Sequence, residues 1–140
     1  MSKKKVLEKQ ALNALEHHIL EHCYDVNASK PKISIHIKTA FKAYHFWKKA
    51  PDEVKFLRNV HRHIFLVNAL IPVTGEDREL EFFIVQRDLN KYLKKKFVGK
   101  TFEYSCEQFT IIIKKYLDRK YKANCSVSVY EDGENGAIAS

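Results

Sequence analysis

Two long runs of alternating residues leave this chain few folds to adopt. Over 32–47, Ile33, Ile35 and Ile37 alternate with Ser34, His36 and Lys38. The pattern continues through Phe41, Ala43, His45 and Trp47, with Lys42, Tyr44 and Phe46 opposite. Over 59–73, His61, His63, Phe65, Val67 and Ala69 share one side against Arg62, Ile64, Leu66 and Leu70. A side-chain period of two belongs to a strand, because successive residues point to opposite faces of a sheet. The first strand is expected to carry a bulge near Thr39-Ala40. The intervening 48–57, with Ala50-Pro51-Asp52, reads as a loop or a short helical turn.

The rest of the chain supplies helices and further strands. Residues 3–24 place Val6, Leu12, Leu15, Ile19 and Cys23 on one helical face, and the polar stretch closing at Pro31 reads as a linker. Thr74-Gly75-Glu76-Asp77 is a turn, and Glu79–Val85 alternates as a third strand. Leu89, Tyr92, Leu93 and Phe97 predict a helix over 86–97. After a short connection over 98–104, Ser105-Cys106-Glu107-Gln108 has the S-x-x-Q form of a capping box. Phe109, Ile113, Tyr116 and Leu117 give the buried face of the helix that it opens. Residues 124–131 form a last strand, and the Gly-rich 133–140 reads as a flexible tail. The class is α+β, an antiparallel sheet with a helix pair on one face. The division is a helical extension with linker over 1–30, a domain over 31–132 and the tail.

Hydrophobic residues make up 45% of the 140 and charged residues 30%, which excludes a disordered polymer. No apolar run approaches the roughly 18–20 residues of a membrane span. The basic start, with Glu8 close behind, does not read as a secretory signal. Three widely spaced cysteines, Cys23, Cys106 and Cys125, suggest no disulfide framework, and a reducing cytoplasm is expected.

The net charge is +8, and residues 86–122 carry eleven Lys/Arg against four Asp/Glu. Such an excess is either the solvated outer face of amphipathic helices or a surface for phosphate or nucleic acid. Only five arginines occur, which argues against sequence-specific DNA reading.

Seven histidines occur. His18 and His22, four apart, read with His17 as a solvated helix flank, and a lone strand histidine such as His36 reads as structural. His61-Arg62-His63 differs: on a strand, H-x-H turns both imidazoles to one face. His45 stands near the end of the preceding strand. If the two strands pair, three imidazoles converge, which is the donor set of a zinc site with one open position.

At these residues the chain resembles the 6-pyruvoyl- and 6-carboxy-tetrahydropterin synthase family. That family has F-x-A-x-H, here Phe41-Lys42-Ala43-Tyr44-His45, and then H-G-H with an aromatic, here His61-Arg62-His63-Ile64-Phe65. Its P-T-x-E is answered by Tyr104-Ser105-Cys106-Glu107, and its V-x-V-x-E by Val127-Ser128-Val129-Tyr130-Glu131. The resemblance spans about residues 32–132.

It implies a T-fold, whose subunits join their sheets into a barrel as homo-oligomers, trimers stacked into hexamers. It implies Zn2+ on His45, His61 and His63, and Glu131 gripping the guanidine-like edge of a pterin or purine, with Glu107 in support. A carboxylate suits that grip because it accepts two parallel N–H bonds. The implied function is a zinc-dependent lyase acting on a dihydroneopterin-triphosphate-like substrate in pterin or deazapurine (queuosine-type) biosynthesis, lysines near the barrel holding the phosphates.

The chain departs from the family at its acid–base groups. The cysteine four residues before H-G-H is Leu57 here, and the Asp-His pair between the helices is missing from 98–104. The glycine of H-G-H is Arg62, and the acidic start of the first helix is Val85. Glu53 and Tyr104 are the candidate replacements for the lost proton-transfer groups. Two other functions therefore stand beside the lyase. One is a non-catalytic T-fold protein that binds or sequesters a pterin, purine or nucleotide. The other is a basic nucleic-acid-binding module.

Overall fold

A computed structural model of the chain describes residues 31–140 and, before them, Asn13. The helix expected over 3–24, with His17, His18, His22 and Cys23, lies outside the described residues. The chain divides into two units, Met1–Pro31 and Lys32–Ser140, and the sheet with its helices belongs to the second.

Strands β1 (Ile33–His45) and β2 (His61–Val73) pair antiparallel from Ile33↔Val73 to His45↔His61. The register is one to one throughout, so the bulge expected near Thr39-Ala40 is absent. None is needed, since Ile37, Phe41, Ala43 and His45 already fall on one buried face at even spacing. A 3₁₀ helix, Asp52–Arg58, kinked at Val54, joins the two strands.

Helix α1 spans Phe82–Lys96, so the third strand expected over 79–85 does not form. Leu80, Phe82 and Ile84 alternate, but Phe82, Phe83 and Ile84 are all exposed, so among the described residues neither set is buried against the sheet. The helical spacing of Val85, Leu89 and Leu93 prevails, all three being buried. The Glu81 carboxylate accepts from the amide of Ile84 at 3.1 Å and caps the first turn.

Thr101–Phe102 forms the short β3, parallel to the end of β1, within the expected connection. Helix α2, Cys106–Tyr121, opens with the predicted capping box: Ser105 Oγ accepts from the amide of Gln108, whose side chain accepts from the amide of Ser105. β4 (Ser126–Glu131) pairs with β2, and β5 (Gly136–Ala139) pairs with β4. The stretch read as a flexible tail thus carries the last strand. Gly136 permits it, because a Cβ there would stand 2.0 Å from the carbonyl oxygen of Val129.

The sheet order is β3-β1-β2-β4-β5. α1 packs on β1, and α2 on β4 and β5. Between them Phe41 stacks on Phe65 and Phe97 at 5.1 and 4.9 Å, with Phe109 closing the cluster. Burial of such rings is the main stabilising term, about 1.5–3 kcal/mol for each. This cluster lies directly beneath the paired ends of β1 and β2, where the histidines stand: the His45 and Phe65 rings are 5.3 Å apart. No described helix is long and apolar enough to cross a membrane.

Candidate metal centre and adjoining cleft

His45 closes β1, His61 opens β2 directly opposite, and His63 follows two residues on along the same face. Their ring centroids lie 4.5, 5.1 and 5.1 Å apart. One nitrogen from each ring falls within 4.8 Å of the others. The convergence follows from the side-chain period of two and from the register, with no special loop geometry.

Each ring is also fixed in tautomer. Nδ1 of His45 lies 2.9 Å from the carbonyl oxygen of Tyr104, and Nδ1 of His61 lies 2.7 Å from that of Asn59. Nδ1 of His63 lies 2.6 Å from Oδ2 of Asp132. Carbonyl and carboxylate oxygens only accept, so Nδ1 donates in all three pairs. The neutral ring then carries its lone pair on Nε2. Metal-ligating histidines are held by this kind of outer contact. Burial holds the His45 imidazolium below the usual histidine range, which favours the neutral, ligating form.

Nε2 of His45 and Nε2 of His61 are buried and have no hydrogen-bond partner. Oε1 of Glu131 lies 3.3 Å from the first without hydrogen-bond geometry, and Oε2 lies 3.7 Å from Nε2 of His63. Imidazole lone pairs beside a carboxylate make an arrangement that a cation relieves. Three imidazole nitrogens with oxygen in reach form a donor set that suits zinc. The residues therefore fit the metal that the sequence suggests.

A cleft of about 680 Å³ opens beside the histidines. His45, His61, Tyr104, Glu107 and Glu131 line it, so most of the expected site residues meet there. Glu107 sits in the first turn of α2, where its own amide and the Ser105 hydroxyl hold its carboxyl below the usual range. The ring of Tyr104 stacks on Phe102 at 4.9 Å. Glu53 is exposed on the 3₁₀ helix and is not among the lining residues.

Leu57, at the family's cysteine position, does line the cleft, and a thiol comes from elsewhere. Cys106 Sγ donates to Oε1 of Glu131 at 3.7 Å. Burial, reinforced by the Glu131 charge, pushes this thiol up to about 12, so it stays protonated at neutral pH. The expected lysines lie elsewhere: among the described residues no Lys or Arg lines the cleft. Lys91, Lys94, Lys95 and Lys96 are exposed along α1, while Lys114 pairs with Asp118 and Lys120 with Asp88.

Sequence reasoning misses Cys106 and Asp132. In the sequence Cys106 stands as one of three scattered cysteines and as an interior letter of the capping box and of the P-T-x-E match, with no role of its own. Asp132 falls at the edge of the stretch that reads as a loose tail, yet its φ of 50° places it in the left-handed region that Asp tolerates. There its carboxylate accepts from His63 and, at 2.9 Å, from the amide of Ile64. Asp132→Asn keeps that conformation but weakens the acceptor for His63. Zinc affinity, read by competition with a chromophoric chelator, is expected to fall roughly 10–100-fold. An unchanged affinity would remove Asp132 from the metal's surroundings.

No family model and no curated protein matches this chain. Among solved structures, the 6-pyruvoyl tetrahydropterin synthase of Caenorhabditis elegans superposes with a TM-score of 0.62 at 13% sequence identity. That match covers 78% of this chain and 95% of that one. At this identity the likeness is one of fold, and it agrees with the five-stranded sheet and paired helices of this domain: the architecture is an α+β T-fold.

Proposed function

We propose that the cleft binds a planar, N–H-rich heterocycle of the pterin or purine kind beside a zinc ion, and that the chain is a divergent tetrahydropterin-synthase-like enzyme acting on that ring's side chain. The observation that carries this reading is the pair of buried, unpartnered Nε2 atoms on His45 and His61, beside His63. His45, His61 and His63 would hold the metal. Bound there, zinc supplies Lewis-acid polarisation of a carbonyl or hydroxyl.

The chain's own groups do the rest. Glu131 offers two acceptor oxygens to the ring edge, one of them steadied by Cys106. Glu107, held below the usual carboxyl range, stays ionised and offers its carboxylate oxygens as acceptors to the ligand. Binding without turnover is the second reading, and Cys106 favours it: a thiol pushed up to about 12 keeps its proton and supplies no thiolate.

Native mass spectrometry of the full chain from cells, with metal analysis, tests the proposal. One zinc per chain, a trimer or hexamer, and a ring-sized adduct are the expected results. Metal-free monomer would overturn it. Consumption of the adduct's side chain, followed by NMR, separates the enzyme from the binding protein.

A further inference from the structure

The cleft has the opposite sign to the protein that carries it. The chain is +8 at pH 7, yet Glu103, Glu107 and Glu131 line the cleft and no described Lys or Arg does. The three carboxylates come from three places: the β3–α2 connection, the first turn of α2 and the end of β4. At its inner end stands His45, 7% exposed, with Nε2 unpartnered. At its rim Trp47, 48% exposed, offers an aromatic face. Zinc on the histidines would add +2 to the three formal negative charges of the described lining, leaving it at −1 (+2 − 3).

Resting on the reading of this cleft as a heterocycle pocket, we propose that its ligand enters without a phosphate chain, as a neutral or cationic heterocycle rich in N–H donors. Carboxylates accept paired N–H groups through charge-assisted bonds. An indole face attracts a flat cation or stacks on a neutral ring. A triphosphate brings about four negative charges to the same walls, and like charges facing each other are rejected rather than held. The exposed lysines of α1 are not among the lining residues, and Lys48, next to Trp47, meets the cleft wall through its amide, which donates to Oε1 of Glu103 at 3.1 Å.

Guanosine and GTP test this directly, because they share one ring edge and differ only in the triphosphate. Trp47 is the single tryptophan of the chain, so its fluorescence reports from the cleft. Zinc-loaded full-length protein is titrated with each at low ionic strength, with calorimetry in parallel. Guanosine is expected to bind at least ten-fold more tightly than GTP. The gap should narrow in a Glu103→Gln, Glu107→Gln double variant, through a rise in GTP affinity. Equal or tighter GTP binding to the unaltered protein overturns the inference and leaves the heterocycle reading standing, since the ring then binds with its phosphates. A gap that the double variant leaves unchanged removes the carboxylates as its cause and also overturns the inference. If neither compound binds, the heterocycle reading is overturned and the inference falls with it.

Discussion

A His61→Ala chain is expected to fold normally and to lose its zinc. His61 is the first residue of β2, half-buried, and its Nδ1 contact with Asn59 is local. Removing the imidazole leaves the hydrophobic core and the β1–β2 register in place, so the circular dichroism should not change. The metal responds differently. Structural zinc sites bind with about 10–16 kcal/mol spread over four ligands, so each ligand accounts for a few kcal/mol and its loss costs roughly 10²–10³ in affinity. Metal analysis after dialysis against a weak chelator should give one zinc per chain for the parent protein and almost none for the variant. His36→Ala is the control: His36 is exposed, its side chain on the β1 face turned away from the three ligands, and zinc should stay. Full zinc retention in His61→Ala would mean that the three imidazoles converge for some other reason.

The convergence was legible in the sequence because it depends on two properties that a sequence displays well. Both long strands alternate cleanly over 13 residues, and that pattern fixes which side chains share a face. The connection over 46–60, with its 3₁₀ helix, then brings the end of one strand against the start of the next. The helix α2 was legible for a similar reason, its capping box and buried stripe agreeing on one boundary.

What stayed hidden depended on tertiary partners. Around Phe82-Phe83-Ile84 two periods overlap: Leu80, Phe82 and Ile84 against Glu79 and Glu81 mimic a strand, while Val85, Leu89 and Leu93 have helical spacing. The cap on Ile84 and burial of Val85 decided it. β5 is four residues long, alternates weakly, and exists because β4 presents an edge and Gly136 can approach it. Asp132 acts on His63 across 69 residues of chain, a separation to which no local spacing points. The thiol at Cys106 replaces none of the missing groups in order, since it enters the cleft from α2 while Leu57 keeps the family's cysteine position. The same dependence explains the sign of the cleft. Glu103, Glu107 and Glu131 are dispersed in a basic sequence and become a cluster only once α2 lies against β4.

Glu131→Gln separates the two things that this carboxylate touches. Its oxygens lie 3.3 and 3.7 Å from the Nε2 atoms of His45 and His63, and one accepts from Cys106. The substitution keeps the length and removes the charge. It also turns one acceptor into a donor, which faces the ring's N–H edge unproductively. A hydrogen bond to a charged group contributes about 1.5–3 kcal/mol, so guanosine affinity should fall roughly 10–150-fold. Zinc content should be unchanged, because the three imidazoles supply the ligands. Cys106→Ala, which removes only the steadying donor, should weaken the ring by a smaller factor in the same assay. The opposite pattern, zinc lost and guanosine binding kept in metal-supplemented buffer, would make Glu131 a fourth ligand and leave the ring to Glu103 or Glu107. Both line the same cleft, so the assay assigns the grip to a residue whichever way it falls.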